Sequence, residues 1–400
     1  MMKKVIMATI LSALYAVPVV AQWSSTFDEG KRFDEVSWLI NHNANNNRVD
    51  GPGIFCFGGS DQDRGMQRQL EDGVRSFMVD IYRVHDKYRL KHGPTNTCMM
   101  DGEDFNHILY NWISRHPNDI VTLHIQSGPN LGLSGLEDIF KGRRSGYKNL
   151  GSYIYQHNNF ISDGRPVGSG SDVYPTIREM LDQKKQLVIF TETNYGSDLY
   201  RYEFGHTVQN PYRASQANQL FNSDKFTVHR GIKHKTIMTI NHFAGDAPTY
   251  NGDRNKSRDA NATVLAKART AWWMFGHRPS VAVDFHNLSN DRLPMRQIEE
   301  VNTWNEVRGS IKINGRGLDD IRIETGIWEN GRWRDRKKVS HEGREARWHR
   351  FYSAPAAAGE KRSIIVSHPD YNFSPNVISL NNYAGNSGKT FVVDITATRK

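Results

Sequence analysis

The chain has 400 residues, 38% of them hydrophobic and 11% aromatic, and a formal net charge of +9. That composition excludes a disordered or fibrous chain, and the length is comfortable for two domains. The positive charge suits an anionic partner, but no run of five Lys and Arg marks a nucleic-acid arm, so nucleic acid is not expected as a partner.

Met1 to Ala21 starts with Lys3 and Lys4, runs apolar from Val5 to Val17 and closes on Val19-Val20-Ala21. A basic start, an apolar core too short to span a bilayer and small residues before a cut mark a secretory signal peptide. The alternative is a retained anchor helix. The mature chain, from residue 22, is therefore expected to be secreted or periplasmic. In an oxidising compartment Cys56 and Cys98 are expected to pair, contributing roughly 4 kcal/mol in the chain-entropy model; the alternative is two buried thiols. Two cysteines alone cannot make a zinc site.

Short β-rich runs follow: "VSWLI" (36–40), "SFMVDI" (76–81), "YRLKH" (88–92), "IVTLHI" (120–125), "QLVIFT" (186–191), "KTIMTI" (235–240) and "SVAVDF" (280–285). Helical patterning lies between several of them. Residues 104–116 place Phe105, Ile108, Leu109, Trp112 and Ile113 on one face before Pro117, and 176–185 and 262–276 look similar, the last ending on Gly276. Repeated strand–helix–strand order predicts a parallel sheet with helices outside it, of a size suited to a TIM-type (β/α) barrel. An open doubly wound sheet is the alternative, but no Gly-x-Gly-x-x-Gly turn follows the first strand. From Ile311 onward only short alternating stretches appear, which predict a small C-terminal antiparallel β-sandwich. The expected division is therefore a signal peptide over 1–21, a barrel over 22–303 and a sandwich over 304–400.

In a parallel barrel the chemistry sits at the C-terminal ends of the strands. The first strand ends in Asn41-His42-Asn43, the second in Asp80 and the third in His92-Gly93; Gln126, Glu192, Asn241-His242 and Asp284 end later ones. A barrel built only for packing has no need of so many polar groups at one rim, because burying them unpaired is costly. Two imidazoles across a mouth suit paired general-base and general-acid work, and Asp284 can hold one of them in its productive tautomer. Phosphodiester cleavage by a neighbouring hydroxyl fits such a set.

The blocks "SWLINHNANNN", "DRGMQRQLEDGVRSFMVDIYR", "YRLKHG" and "HPNDIVTLHIQ" stand in an order that resembles the X domain of phosphatidylinositol-specific phospholipase C and its simple secreted and plant-type relatives. The likeness covers residues 33 to 290. It implies a (β/α) barrel, with His42 as base on the inositol 2-hydroxyl, His92 as acid for the diacylglycerol oxygen and Asp284 beside the first histidine. Arg75 belongs to the family's Gly-x-Arg turn, as a substrate contact or a structural ion pair. Asn43, Arg83, Lys91, Gln126, Glu192 and Asn241 are further candidates around the substrate. Calcium-dependent relatives place acids where this chain has Met78 and Gln126, leaving Asn43 and Asp80 as the candidate metal ligands. Metal-independent bacterial relatives place an arginine where this chain has Asp80. Calcium or magnesium use, against a metal-independent mechanism, therefore stays open.

The resemblance implies a phospholipid or other phosphodiester substrate, a peripheral membrane surface and a monomer. Two other readings are a catalytically weak barrel binding glycan or lipid, and a magnesium-dependent enzyme acting on a sphingolipid or glycerophosphodiester. The Gly-rich segment 51–65 is read as a substrate lid, and Trp272-Trp273 as core. Trp304, Trp328, Trp333 and Trp348 are either a sugar-stacking platform or aromatic core.

Overall fold

Eleven short strands assemble the first three quarters of the chain into one sheet. They are β1 (Leu39–Asn41), β2 (Ser76–Val84), β3 (Lys87–Lys91), β4 (Met99–Asp101), β5 (Val121–Ser127), β6 (Leu187–Thr191), β7 (Arg201–Tyr202), β8 (Thr207–Gln209), β9 (Arg230–Gly231), β10 (Ile237–Asn241) and β11 (Pro279–Val283). The computed structural model describes residues 29–51, 59–93, 98–167, 173–233, 235–246, 251–288, 292–313, 321–339, 341–345, 349–357, 359–380, 388 and 390–400. The expected signal peptide, Cys56 and Trp348 lie outside them, as do residues 52–58 of the Gly-rich segment.

The sheet runs in the order β9-β8-β10-β11-β1-β2-β5-β6-β7, and every neighbouring pair from β8 to β7 along this row is parallel. The row curls, because side chains from both of its ends line one cavity and touch. Glu192, after β6, meets Arg230 of β9 at 2.7 Å. The expected closed barrel is therefore an open, curled sheet: among the described residues no backbone pairing joins β7 to β8. The chain passes between them through a single 3-10 turn, Glu203–Gly205. Two strands so short and so closely joined leave no room for a parallel ladder, which needs a crossover of a dozen residues or more.

Helices cover the strands, some of them opened by side-chain caps. The helix α1 (Met66–Glu71) joins β1 to β2. The helix α2 (Gly102–Arg115) starts where the Asp101 carboxylate accepts a hydrogen bond from the Glu103 amide, two residues before its apolar period begins, and buries Phe105, Leu109, Trp112 and Ile113. After α3 (Gly132–Phe140), Thr176 and Glu179 form a capping box that opens α4 (Ile177–Asp182). Apolar patterning over 262–276 resolves into α6 (Val264–Phe275), preceded by α5 (Arg254–Asn261) and stopped by left-handed Gly276. Leu293–Thr303 forms α7.

Beyond α7 the strands β12 (Asn305–Ile313), β15 (His341–Glu345), β16 (His349–Ala356), β18 (Tyr371–Ser374) and β20 (Thr390–Arg399) form a five-stranded sheet. A four-stranded sheet holds β13 (Arg322–Glu329), β14 (Arg332–Lys338), β17 (Arg362–Ser367) and β19 (Val377–Ser379). One buried cluster joins the two, including Val307, Ile323, Val366 and Ile395. The expected antiparallel arrangement is broken at its centre, where β12 and β20 pair parallel over eight residues.

The tryptophan pair in α6 divides between the two units: Trp272 packs into the core under the curled sheet and Trp273 into the C-terminal cluster. Trp304 stacks on Trp272 at 6.1 Å, so it is core rather than a sugar platform. Beside them the fully buried Arg278 donates to the Val301 and Trp304 carbonyls and pairs with Glu306 at 3.5 Å. A buried charge pair of this kind is costly to break from one side. By contrast Trp328 and Trp333 form an edge-on cross-strand pair with Trp328 largely exposed.

Candidate active site

At the C-terminal ends of the parallel strands opens a cavity of about 330 Å³. Its walls bring together His42, Asn43, Asp80, His92, Gln126, Glu192 and Asn241 of the sequence candidates. They reach it by different routes. His42 directly follows β1, and its backbone amide is held by the Val283 carbonyl of β11. Asp80 lies in β2 opposite Gln126 of β5. His92 arrives otherwise than expected: β3 is not a parallel strand of the sheet but turns back antiparallel along β2. That hairpin returns the imidazole to Asp80, twelve residues earlier in sequence.

Each histidine is backed by a carboxylate. His42 Nδ1 lies 2.9 Å from Asp284 Oδ1, and its ring stacks on Phe243 at 3.7 Å. His92 Nδ1 lies 3.2 Å from Asp80 Oδ2. Their proton affinities diverge. Burial pushes the His42 imidazole down to about 4; the charges of His92 and Arg230 add to this, and those of Asp61 and Asp80 oppose it. For His92 burial acts in the same direction but is outweighed by the hydrogen bond to Asp80 and the charges of Asp61, Asp80 and Asp284, so its pKa stands above the ordinary 6.5. Two titratable groups pushed apart in this way are what base-and-acid work requires. Asp284 is fully buried, and burial together with the charge of Asp61 pushes its carboxyl well up.

Asp61 was not legible in the sequence. It lies in the second half of the Gly-rich segment, where no periodicity marks it, and it is buried. Its carboxylate accepts from Asn43 and Asn46 side chains at 2.9 and 2.6 Å and from the Gly252 amide. Gln62, its neighbour, donates to the His42 and Val283 carbonyls. The described end of this segment is therefore framework that fixes β1 against β11, rather than a lid. Phe285, next to Asp284, takes φ +45°, and its amide donates to the Asp61 carbonyl. Residues held at such angles cluster at functional sites.

Four further groups in the cavity were also missed. His124 pairs with Glu203 at 2.9 Å, and Gln209 donates to the same carboxylate, which lies at the open edge between β7 and β8. Arg230 Nη1 donates to Glu192 and Nη2 to the Gln209 side-chain oxygen at 2.8 Å. Strands of two or three residues carry no detectable period, so β7 to β9 and their side chains left no sequence signal.

Arg75, Arg83 and Lys91 are not brought to the cavity. Arg75 lies before β2, at the opposite end of the strand from the rim. Its guanidinium pairs with Asp119 at 2.9 Å, donates to the Leu70 and Val74 carbonyls and covers Trp112. Arg75→Ala is expected to cost about 3–5 kcal/mol in stability by stranding Asp119 while leaving the cavity of the folded protein intact; urea unfolding and circular dichroism of the folded variant check it. Arg83 is exposed in the β2–β3 hairpin, where its charge acts on the Tyr88 phenol. Lys91 lies over the Tyr82 ring.

The donors are a thin set for a calcium ion. A hard cation of that kind takes six or more oxygens. Here one oxygen of Asp80 faces His92 and one of Glu192 takes Arg230, while Asn43 donates its side-chain N–H to Asp61. Met78 offers no oxygen in its side chain. His42, Asp61 and Asp284 also lie close together, but His42 Nδ1 is spent on Asp284, and both Asp61 oxygens are spent on amides.

A curled parallel α/β sheet with two carboxylate-backed imidazoles at the strand ends defines a phospholipase C-like protein. The chain belongs to the PI-PLC X domain family, whose profile matches residues 30–291. It is 21% identical over 196 residues to PI-PLC X domain-containing protein 1 of Arthroderma benhamiae, covering 47% of this chain and 57% of that protein. It is 24% identical over 284 residues to a PI-PLC X domain-containing protein of Arabidopsis thaliana, covering 65% of this chain and 60% of that one. The chain thus spans about 60% of the length of these curated relatives. Among solved structures it is similar to the phosphatidylinositol-specific phospholipase C of Listeria monocytogenes, with TM-score 0.48, 12% identity, and coverage of 70% of this chain and 98% of that one.

Proposed function

We propose that this protein cleaves a phosphodiester that has a hydroxyl group beside it, in a phosphoinositide or related headgroup. The observation that carries this reading is the pair His42 and His92, lining one cavity with oppositely shifted proton affinities. A neutral His42, its Nδ1–H donated to ionised Asp284, leaves Nε2 free to take the proton of the attacking hydroxyl. That oxygen then bonds to phosphorus to form a five-membered cyclic phosphate. His92, kept protonated by Asp80, gives its proton to the leaving oxygen as the other ester bond breaks. Water opening the cyclic diester would reverse the two roles.

Asp80 and Asp284 orient the imidazoles, and Gln126 offers its amide for a headgroup hydroxyl, while Asn43 and Asn241, whose N–H groups donate to Asp61 and the Asn210 carbonyl, offer their side-chain oxygens. The same reading takes the Met1–Ala21 segment as an export signal and Cys56–Cys98 as a disulfide of the exported chain, with the lipid reached from a membrane surface. Cys98 is fully buried, which suits that pairing. The test is phosphorus NMR of mature protein mixed with phosphatidylinositol vesicles. Appearance of a cyclic phosphate is the expected result. No phosphorus product, from this lipid or from water-soluble inositol phosphodiesters, would sink the proposal.

A further inference from the structure

A phosphodiester brings a negative charge that grows on the phosphoryl oxygens as the new bond forms, so donors must meet it. The strand-two residue at the rim, Asp80, is an acid that backs His92, and the cavity's acids already face cationic partners, Asp80 the His92 imidazole and Glu192 the Arg230 guanidinium. Its described Lys and Arg lining residues are Arg213 and Arg230. We propose that Arg230, with Arg213 beside it, forms a metal-independent anion subsite that grips the phosphoryl oxygens across the cavity from His42 and His92. The inference rests on the phosphodiesterase reading for the identity of its anion.

The placement follows from the curl of the sheet. β1 stands at the centre of the strand row, and the two ends of the row meet on the far side of the cavity, where Arg230 of β9 touches Glu192 after β6. The guanidinium is fixed before any ligand arrives. Glu192 and Gln209 take one donor from each terminal nitrogen, and the group lies over Phe204 at 4.8 Å and Tyr212 at 5.8 Å. Arginine carries five N–H donors in a planar fork suited to phosphate. Two are used here, and buried Nε has no partner in the structure.

The charge of Arg230 is felt at the His42 imidazole, so it acts within the same site. It also balances the cavity. Asp80, Glu192 and Glu203 face it with three carboxylates, which would repel a phosphodiester without an opposing cation. Glu192 is the resident partner that the anion must compete with, and its own carboxyl is pushed up by burial and by Glu203 and Asp80.

The experiment is calorimetric titration of the full mature chain with inorganic phosphate at pH 7 in excess chelator. Saturable binding is expected, weakened by roughly 100-fold in Arg230→Met and by about tenfold in Arg230→Lys, which keeps the charge and loses the fork. Glu192→Gln is expected to tighten phosphate by about tenfold, because it removes the competing carboxylate. A merely structural bridge would show no such gain. The lysine and glutamine variants carry the test if the methionine variant does not fold.

Absence of saturable binding, binding that needs added calcium or magnesium, or equal affinity in folded Arg230 variants would overturn the subsite. Turnover that survives Arg230→Met and vanishes with chelator would overturn it while leaving the phosphodiesterase reading in place. Arg230-dependent phosphate binding without turnover of any phosphodiester would support the subsite and sink that reading instead.

Discussion

Replacing His92 by alanine is expected to lower kcat on a phosphoinositide by about 10²–10⁴-fold, the usual contribution of a positioned general acid. The loss should shrink to within roughly tenfold when the leaving group is a nitrophenolate, which departs without a proton. His42→Ala should lose a similar factor on both substrates, because the attacking hydroxyl must be deprotonated whichever group leaves. The contrast separates two roles that a simple loss of activity would merge. In the proposed mechanism His92 is the acid because Asp80 holds its Nδ1 side and raises its proton affinity against the cost of burial. His42 is the proposed base because burial against Phe243 keeps it neutral. Steady-state kinetics on matched lipid and nitrophenyl esters measures the effect. Equal losses on the two substrates for His92→Ala would reverse or cancel the assignment.

How these residues reach one cavity was only partly written in the local sequence. Runs such as Val121–Ser127 and Leu187–Thr191 announce buried strands, since a continuous apolar run between turn residues has few other uses. Their C-terminal ends then deliver Gln126 and Glu192. For His92 the residue was legible while its path was not. The periodicity of 88–92 fits a strand in either direction, and only the two-residue turn at His85-Asp86 makes it fold back along β2.

Asp61 and Arg230 were illegible for another reason. Their neighbours follow no period, and their positions depend on contacts with Gly252 and Glu192, 191 and 38 residues away. The parallel pairing of β12 with β20 was hidden likewise, because alternation fixes which face is buried but not which distant strand lies alongside. Where function depends on such long-range contacts, the sequence marks the histidines and leaves out what surrounds them.

The pH dependence of kcat/KM follows from that surrounding. As the proposed base, His42 must be unprotonated, and Asp284 must be ionised to hold the tautomer that leaves Nε2 free. Activity should therefore rise with pH through the apparent pKa of this coupled pair, which belongs to both groups together. With His42 lowered to about 4 and Asp284 raised well above its ordinary 3.8, that limb lies at or above about pH 4. His92 must be protonated, so activity should fall as pH climbs past its raised pKa, above the ordinary 6.5. A bell with its maximum between these limbs is expected.

Asp284→Asn tests the acid limb directly. The amide keeps the shape but can donate to Nδ1 and lock the proton on Nε2, the wrong tautomer for a base. Loss of up to about 10⁴-fold is expected, as for other histidine bases stripped of their orienting carboxylate. The acid limb should also move, because only the imidazole is left to titrate. A variant that keeps both its rate and its acid limb would show that Asp284 shapes the pocket without governing His42.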